Sequence, residues 1–446
     1  MHKMIKKISL SFVFFLICLQ AFSQVKYYDE TTLLFSQEKL NGTARYLAMS
    51  GAFGALGGDL SSVSSNPAGM AVFNDNYSAI TLNTNRKTNY SKFYEMNSSY
   101  ESSSLDFAQF GIVGVFDTYS DTWSKIAVSI NSTVTNDFDN IISLKGNNAV
   151  SNETYFLEPV VGEELFNHVT YQSIHSSFYG DNTKTHFTIA AKYNKRWYFG
   201  FSIITSALDF EQKIKVREES KDINEETFRG VLNQRLITYG EGLGLSFGAI
   251  LKPSKHVRLG LSLQTPTWYS LKEEFKEDIF VSISTGAVTQ PSNQDFLGVY
   301  RLSTPSKLTT SIAYIFGKKG LLSFDYSYKD FSSSSLRPTL DFEAGNELIS
   351  EDYTSVTSIN IGGEYRLKYV SLRAGYQYEG SPYKHSDKTT VGYSFGFGFN
   401  IGDYSKLDFA FNRNEYIENN YYFNDPNPII SNNELSRITA TYSVSF

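Results

Sequence analysis

"RITATYSVSF", residues 437–446, closes the chain, and its reading decides the fold. Ile438, Ala440, Tyr442, Val444 and Phe446 fall on one side of an extended strand, and Thr439, Thr441, Ser443 and Ser445 on the other. A period of two puts one apolar and one small polar face on the same ribbon. The pattern recurs upstream. Val391, Tyr393, Phe395, Phe397 and Phe399 oppose Gly392, Ser394, Gly396 and Gly398, and Leu322, Phe324, Tyr326 and Tyr328 oppose Ser323, Asp325 and Ser327. Val370, Leu372, Ala374, Tyr376 and Tyr378 oppose Ser371, Arg373, Gly375 and Gln377, and Val257, Leu259, Leu261 and Leu263 oppose Arg258, Gly260, Ser262 and Gln264.

Read this way, the sequence predicts strands near 77–85, 105–116, 123–132, 185–194, 196–206, 240–252, 256–266, 306–317, 319–330, 357–368, 369–379, 389–401, 404–414 and 436–446. These are about fourteen segments of roughly ten residues, the length a tilted strand needs to cross a bilayer. Short turns ("YNKRW", "KPSKH", "GKKG", "IGDYSK") join alternate pairs. The other connections are long and polar: 86–104, 133–184, 207–239, 267–305, 331–356 and 415–435, with 380–388 the short exception. Outer-membrane barrels have tight periplasmic turns, long extracellular loops and an even strand count.

A soluble β-sandwich also alternates. The targeting signal described below, the turn asymmetry and the terminal Phe446 favour an all-β fold: a transmembrane antiparallel β-barrel of about 14 strands. In hydrocarbon every backbone N–H and C=O needs a partner, and a closed barrel leaves no unpaired edge. Lys192, Arg258, Asp325, Glu364, Arg366, Arg373, Asp408 and Arg437 share the Gly/Ser register, which places them in a wet lumen rather than against lipid. Trp123, Trp197, Tyr198, Tyr269 and Tyr404 stand at strand ends, where interfacial girdles form.

The amino terminus sets the compartment. Lys3, Lys6 and Lys7 precede "ISLSFVFFLICL", too short a run to span a bilayer, and Ala21 and Ser23 suit a cleavage before Gln24. Residues 1–23 therefore read as a secretory signal peptide. Cys18 is the only cysteine, and Ile17 before it is too large for lipoprotein processing. The mature chain then has no disulfide, thiolate nucleophile or cysteine-bound metal. The 40 Lys and Arg stand against 46 Asp and Glu, a formal net charge of −6, without basic clusters. That argues against nucleic acid as a partner.

Residues 24–76 lack the alternation and precede the first strand. "GGDLSSVSSNPAGM", residues 57–70, reads as sharp turns around a short helix: Gly57, Gly58 and Gly69 turn the backbone, and Asp59 can accept from the amides of Ser61 or Ser62. Leu60–Ser65 forms one or two turns, which Asn66, held extended by Pro67, brings to an end. Met49, Phe53, Leu56, Met70 and Phe73 make the segment too apolar for a free tail, so it is expected to fold into the lumen as an N-terminal hatch, with residues 77–446 forming the barrel.

"MSGAFGALGGDLSSVSSNPAGMA" resembles the amino-terminal hatch of the FadL/TodX family of outer-membrane transporters for long-chain fatty acids and other hydrophobic molecules. Gly51, Ala52, Ala55, Gly57, Gly58, Asp59, Ser61, Asn66, Pro67, Ala68 and Gly69 match that family's signature, and Met70 replaces its usual Leu. The resemblance implies a plugged, porin-like fourteen-stranded barrel in the bacterial outer membrane. It also implies passive uptake, in which loops catch a hydrophobic ligand, the hatch shifts, and the ligand leaves sideways through the wall beside a kinked strand. Gly57, Gly58, Asp59, Asn66, Pro67, Ala68 and Gly69 are the hatch and gating candidates. In "YFLEPVVGEELFNHV" Val161, Leu165, Phe166 and Val169 form one apolar side of a short helix, a candidate capture loop or ordinary loop packing. In "LDFAQFGIVGVF" the alternation slips between Phe107 and Phe110, which predicts a bulge near Ala108–Gln109, with or without a lateral opening.

Chemistry is sparse elsewhere. His168 and His175 share a long loop, but their spacing fits no tight metal motif; "NDFDN" at 136–140 lacks a full calcium ligand series. His186 and His256 have no nucleophile at a motif spacing, so no catalytic residue, metal or cofactor is expected. "GAFGALGG" satisfies no dinucleotide motif. The expected partners are a hydrophobic small molecule, outer-membrane lipid and the barrel-insertion machinery, which would read the strand ending at Phe446; the chain is expected to be a monomer. Two alternatives stand beside transport of fatty acids: a structural or adhesin-like barrel, and uptake of a haem-type ligand.

Overall fold

The computed structural model describes residues 30–93, 96–146, 168–222, 224–284, 288–384, 386, 389–420 and 429–446. The signal segment 1–23, Val161, Leu165, Phe166 and His385 lie outside the described residues. A single antiparallel sheet closes on itself: β1 (Tyr77–Phe93) pairs with β18 (Ile429–Ser445), Tyr77 opposite Ser445. Between them run β2 (Met96–Asp117), β3 (Trp123–Asp137), β4 (Asn140–Gly146), β5 (His168–Tyr193), β6 (Trp197–Lys221), β7 (Thr227–Leu251), β8 (Val257–Gln264) and β9 (Trp268–Ile283). β10 (Val288–Ser303), β11 (Lys307–Ile315), β12 (Gly320–Asp330), β13 (Ser335–Arg337), β14 (Ser355–Arg366), β15 (Val370–Glu379), β16 (Thr390–Ile401) and β17 (Ser405–Asn420) complete the order.

The wall has fourteen strands, because three of them are broken and β13 is a short addition. β4 continues β3 along β5. β8 and β9 both pair with β7, and the matching break in the next strand separates β10 from β11. Pro266 and Pro305 sit in these two breaks, where a residue without an N–H interrupts the ladder. Thr267 and Thr304 bridge the breach: the Thr267 amide donates to Thr304 Oγ1 at 2.9 Å, and the Thr304 amide donates to the Thr267 carbonyl at 3.1 Å.

The strands are much longer than the sequence reading allows. Residues 207–221 and 227–239, expected in a loop, extend β6 and β7, and 268–283 and 288–303 replace most of another expected loop. The cause is a change of sidedness within single ribbons. On β6 the outward residues run Phe199, Phe201, Ile203 and then Asp209, Lys213, Lys215; the inward ones run Ser202, Ser206 and then Leu208, Phe210, Val216. The lower part faces lipid and the upper part faces water, so the apolar face turns from outside to inside along one strand. The connection 331–354 also departs from a plain loop, with a helix at Glu343–Asp352 whose Ile349 enters the core.

Parity also corrects the aromatic girdle. Trp123, Trp197 and Tyr404 are exposed, whereas Tyr198 and Tyr269 point into the lumen and are buried. Trp197 and Tyr198 are adjacent and must take opposite faces; Trp268, beside Tyr269, is the outward partner there.

Candidate functional site

Residues 30–76 fill the bore. Residues 30–36 are helical, Ala44–Leu47 form a helical turn capped by Thr43, whose Oγ1 accepts from the Tyr46 amide, and Ser62–Ser65 precede a 3-10 helix at Pro67–Val72. Two apolar clusters seal the segment to the wall. Leu60, Val63, Met70 and Phe73 meet Val113, Tyr198 and Ile250, while Leu47, Met49, Phe53 and Leu56 meet Ala313, Leu321 and Ala410.

The Gly/Ser register of the strands acquires a specific meaning here. A Cβ on Gly200 would overlap Pro67 and Ala68, on Gly248 it would overlap Asn66, on Gly260 it would overlap Gly54, and on Gly362 or Gly375 it would overlap Met49. These wall glycines give the hatch backbone room to lie against the sheet. Gly57, at φ +63°, needs its missing Cβ twice, since any side chain would also strike Gly69.

Asn66 is the fastening point. Its backbone is extended (φ −159°, ψ 113°), which ends the preceding helical turn. Oδ1 accepts from the Ala68 amide at 3.0 Å, and Nδ2 donates to the carbonyls of Gly54 (2.8 Å), Ala249 (3.1 Å) and Leu261 (3.3 Å). One amide therefore caps the Pro67–Val72 turn and ties it to β7 and β8. Asp59 is buried and accepts from Thr43 Oγ1 at 2.7 Å and from the Ser61 amide at 2.9 Å. Burial pushes its carboxyl above the ordinary value, opposed by the charge of Arg45.

Of the charges expected in the lumen, Asp325, Glu364, Arg373, Asp408 and Arg437 are buried against the hatch rather than solvated, whereas Lys192 and Arg258 are half-buried and Arg366 is exposed. Glu364 receives Arg45 Nε at 2.8 Å, Arg373 Nε at 2.8 Å and Arg366 Nη2 at 2.6 Å, and Arg373 also reaches Asp408 at 2.6 Å. Asp325 Oδ2 accepts from the Gly54 amide at 2.8 Å. Arg437 holds Asn85 Oδ1 and the Leu40 carbonyl, each at 2.7 Å. Further up, Glu38 pairs with Lys184 and with Lys329. Burial alone would raise the Glu38 carboxyl, but Lys184 and Lys329 hold it well below the usual carboxylate range.

The bulge falls at Ala108: Thr81 pairs with Gln109 and Leu82 with Phe107. Gln109 turns inward, donates to Asn131 Oδ1 and accepts from Ser61 Oγ of the hatch, both at 2.5 Å. β2 and β3 pair only over Gln109–Asp117. Above Gln109, no ladder joins β2 to β3 among the described residues. A cleft opens at that level, lined by Asn83, Asn85, Asp106, Phe107, Val134 and Asp137. The hatch strap covers it from inside: the Lys39 amide donates to the Thr135 carbonyl at 2.8 Å, and Asn41 Nδ2 donates to the Val134 carbonyl at 2.8 Å.

Above the hatch the lumen is apolar and aromatic. Phe35 of the strap meets Phe138 and Phe210 edge-on, with centroids 5.8 and 5.3 Å away, in a cluster that includes Leu208, Leu236, Tyr269 and Tyr300.

A family model described as outer membrane protein transport protein (OMPP1/FadL/TodX) matches residues 174–445. The chain belongs to this family. It is therefore an outer-membrane transport protein and not an enzyme. Solved FadL/TodX-type barrels share the fold. A FadL homologue of Pseudomonas aeruginosa superposes with a TM-score of 0.60 at 13% identity, covering 92% of this chain and 99% of that one. The Pseudomonas putida toluene transporter TodX gives 0.56 at 14%, over 92% and 100%. The Ralstonia pickettii toluene transporter TbuX gives 0.52 at 14%, over 91% and 98%. A comparison with curated protein sequences finds no match.

The remaining sequence candidates sort clearly within this FadL/TodX frame. Val169 lies on β5, buried opposite Ser220, and not on a helix of a capture loop. A strand's parity, not a helical stripe, buries it. His168 and His175 also lie on β5 rather than in a loop. "NDFDN" is already engaged: Lys87 Nζ lies 3.0 Å from Asp137 Oδ2, Asp139 accepts from the Gly180 amide, and Asn140 accepts from Asn89. Arg45 and Glu38 escaped the sequence reading, in which Gln109 is only a bulge residue. A lone charge in a small-residue segment (Arg45) was the available signal for a lumenal ion pair.

Proposed function

We propose that this FadL/TodX-family chain admits hydrophobic small molecules, such as long-chain fatty acids, by passive diffusion. The hatch, residues 24–76, acts as the moving part and release is lateral. The observation that carries the reading is the sequence of environments around the strap at residues 33–41. Its upper end is part of the aromatic chamber, and its lower end covers the unpaired edge of β3 beside the cleft. A ligand that displaced Phe35 would pull on the same short segment that closes the wall. Toluene transport by the two relatives named above fits an apolar cargo of this kind. Gly57, Gly58, Asp59, Asn66, Pro67, Ala68 and Gly69 serve as the hatch's turn and fastening residues, and Asn66 is its principal tie to the wall.

The test is deletion of residues 45–73, with uptake of a labelled long-chain fatty acid and of toluene compared with a hydrophilic solute. Altered hydrophobic uptake with an intact, heat-modifiable barrel is expected. Unchanged uptake of every hydrophobic probe would overturn the reading.

A further inference from the structure

Among the described residues, three cations at the periplasmic end of the bore gather around one tyrosine without a carboxylate partner. Lys192 on β5, Lys252 just after β7 and Arg258 on β8 gather around Tyr198 of β6, which is buried. The two ammonium groups lie 5.9 and 5.8 Å from the Tyr198 ring centroid, and Lys252 Nζ donates to its hydroxyl at 3.4 Å. Arg258 donates from Nη1 to the Leu56 carbonyl of the hatch, while its Nε is buried with no partner. Among the described residues, no carboxylate forms an ion pair with any of the three. The sequence supplies the reason: stretches 190–206 and 242–272 contain no Asp or Glu.

Like charges gathered in a poorly solvated site repel, and buried charges are normally paired. The arrangement fits a missing anion. Beside it, the half-buried Val72 edges the apolar cluster of Ile250, Met70 and Phe73 that Tyr198 also joins. A charged site next to an apolar strip matches an amphiphile with one anionic headgroup and an alkyl chain.

We propose that Lys192, Lys252 and Arg258 bind the carboxylate or phosphate headgroup of an amphiphile at the periplasmic mouth. The buried Arg258 Nε–H and the two ammonium groups supply charge-assisted hydrogen bonds to its oxygens, and the chain lies along the half-buried Val72 at the edge of the apolar cluster. Two sources carry this chemistry, a fatty carboxylate in transit and an anionic phospholipid of the inner leaflet. Only the first rests on the transport reading above.

The experiment uses the full processed chain in uncharged detergent. Binding of decanoate and of decanol is measured by titration calorimetry in the parent and in Lys192→Gln/Lys252→Gln/Arg258→Gln. The parent is expected to favour decanoate, and the variant to bind it about tenfold more weakly while decanol binding is unchanged. Lys192→Arg/Lys252→Arg/Arg258→Lys, which keeps the charges, should restore the preference. Native mass spectrometry of added lyso-phosphatidylglycerol forms the second arm. A loss confined to decanoate identifies the transported acid, and a loss confined to the phospholipid identifies the bilayer; either supports the site. The same decanoate-to-decanol ratio and the same phospholipid retention in parent and variant would overturn it. If the triple variant fails to give a heat-modifiable barrel, Arg258→Gln alone is read for the same ratio. Unaltered hydrophobic uptake after hatch deletion would strike the transport reading and leave this ratio untouched.

Discussion

Replacing Asn66 by Ala removes four contacts at one point: the cap on the Ala68 amide and donation to the carbonyls of Gly54, Ala249 and Leu261. A helix cap contributes about 1 kcal/mol. The two hydrogens of Nδ2 are shared among three buried acceptors. Each lost bond costs roughly 0.5–1.5 kcal/mol, and more where the abandoned carbonyl stays dry. Together the closed hatch should lose about 2–4 kcal/mol. At about 1.4 kcal/mol per decade this raises the population of the displaced hatch by roughly 30- to 700-fold. Asn66→Asp separates the parts. It keeps the Oδ1 acceptor for the Ala68 amide but turns the donor into a second acceptor facing three carbonyls, so it should be at least as damaging as Ala. The assays are dye leakage through proteoliposomes and the rate of limited proteolysis between residues 45 and 73. Heat-modifiable migration checks that the barrel itself is intact. Leakage and cleavage rates equal to those of the parent in both variants would refute the assignment of Asn66 as the tie. So would a milder effect from Asp than from Ala.

Gly248→Val should force Asn66 off the wall and raise leakage at least tenfold, yet be silent in a protein lacking residues 45–73; equal effects in both backgrounds would contradict the hatch-clearance argument. Asn41→Cys with Asn83→Cys, at positions whose side chains are bonded at 2.8 Å, should on oxidation cut hydrophobic uptake severalfold, with recovery on reduction. Uptake indifferent to the crosslink would show that the strap does not move. Glu38 has a folded pKa held below its unfolded value, so its contribution is full above the ordinary carboxylate range and fades as pH falls through the depressed value. Cleavage after Lys39 should therefore accelerate below about pH 4 in the parent, and Glu38→Gln should show the faster rate at neutral pH. Glu364→Gln leaves Arg45, Arg366 and Arg373 without their shared carboxylate and should cost several kcal/mol of stability, read as a lower unfolding midpoint in urea.

The membrane-facing halves of the strands were legible because hydrocarbon imposes one rule on them, apolar out and small or polar in. Above Ser206 on β6 and Glu241 on β7 that rule reverses, and a reading tuned to outward apolar residues stops there although the ribbon continues. The bulge at Ala108 was visible because it shifts parity inside a strongly alternating run. Two adjacent aromatics cannot share a face, so Tyr198 and Tyr269 could have been assigned inward from Trp197 and Trp268 alone. The turns of the hatch were readable from Gly57, Asp59 and Asn66-Pro67, whose backbone demands are local. Its anchors on the wall were not. Asn66 meets Ala249 and Leu261, and Arg45 meets Glu364, across separations that no local pattern encodes.

The reversal of sidedness along β6 and β7 has an energetic corollary for anything greasy inside. The molecule is an oil-lined cup standing on a plugged, largely small-residue and polar sleeve that is itself wrapped in oil. On the proposed reading, a solute resting in the cup would have to shed favourable surroundings to descend the sleeve, but would only trade one oil for another by stepping through the seam beside Phe107. On that reading, the downhill exit from such a vessel is through its side.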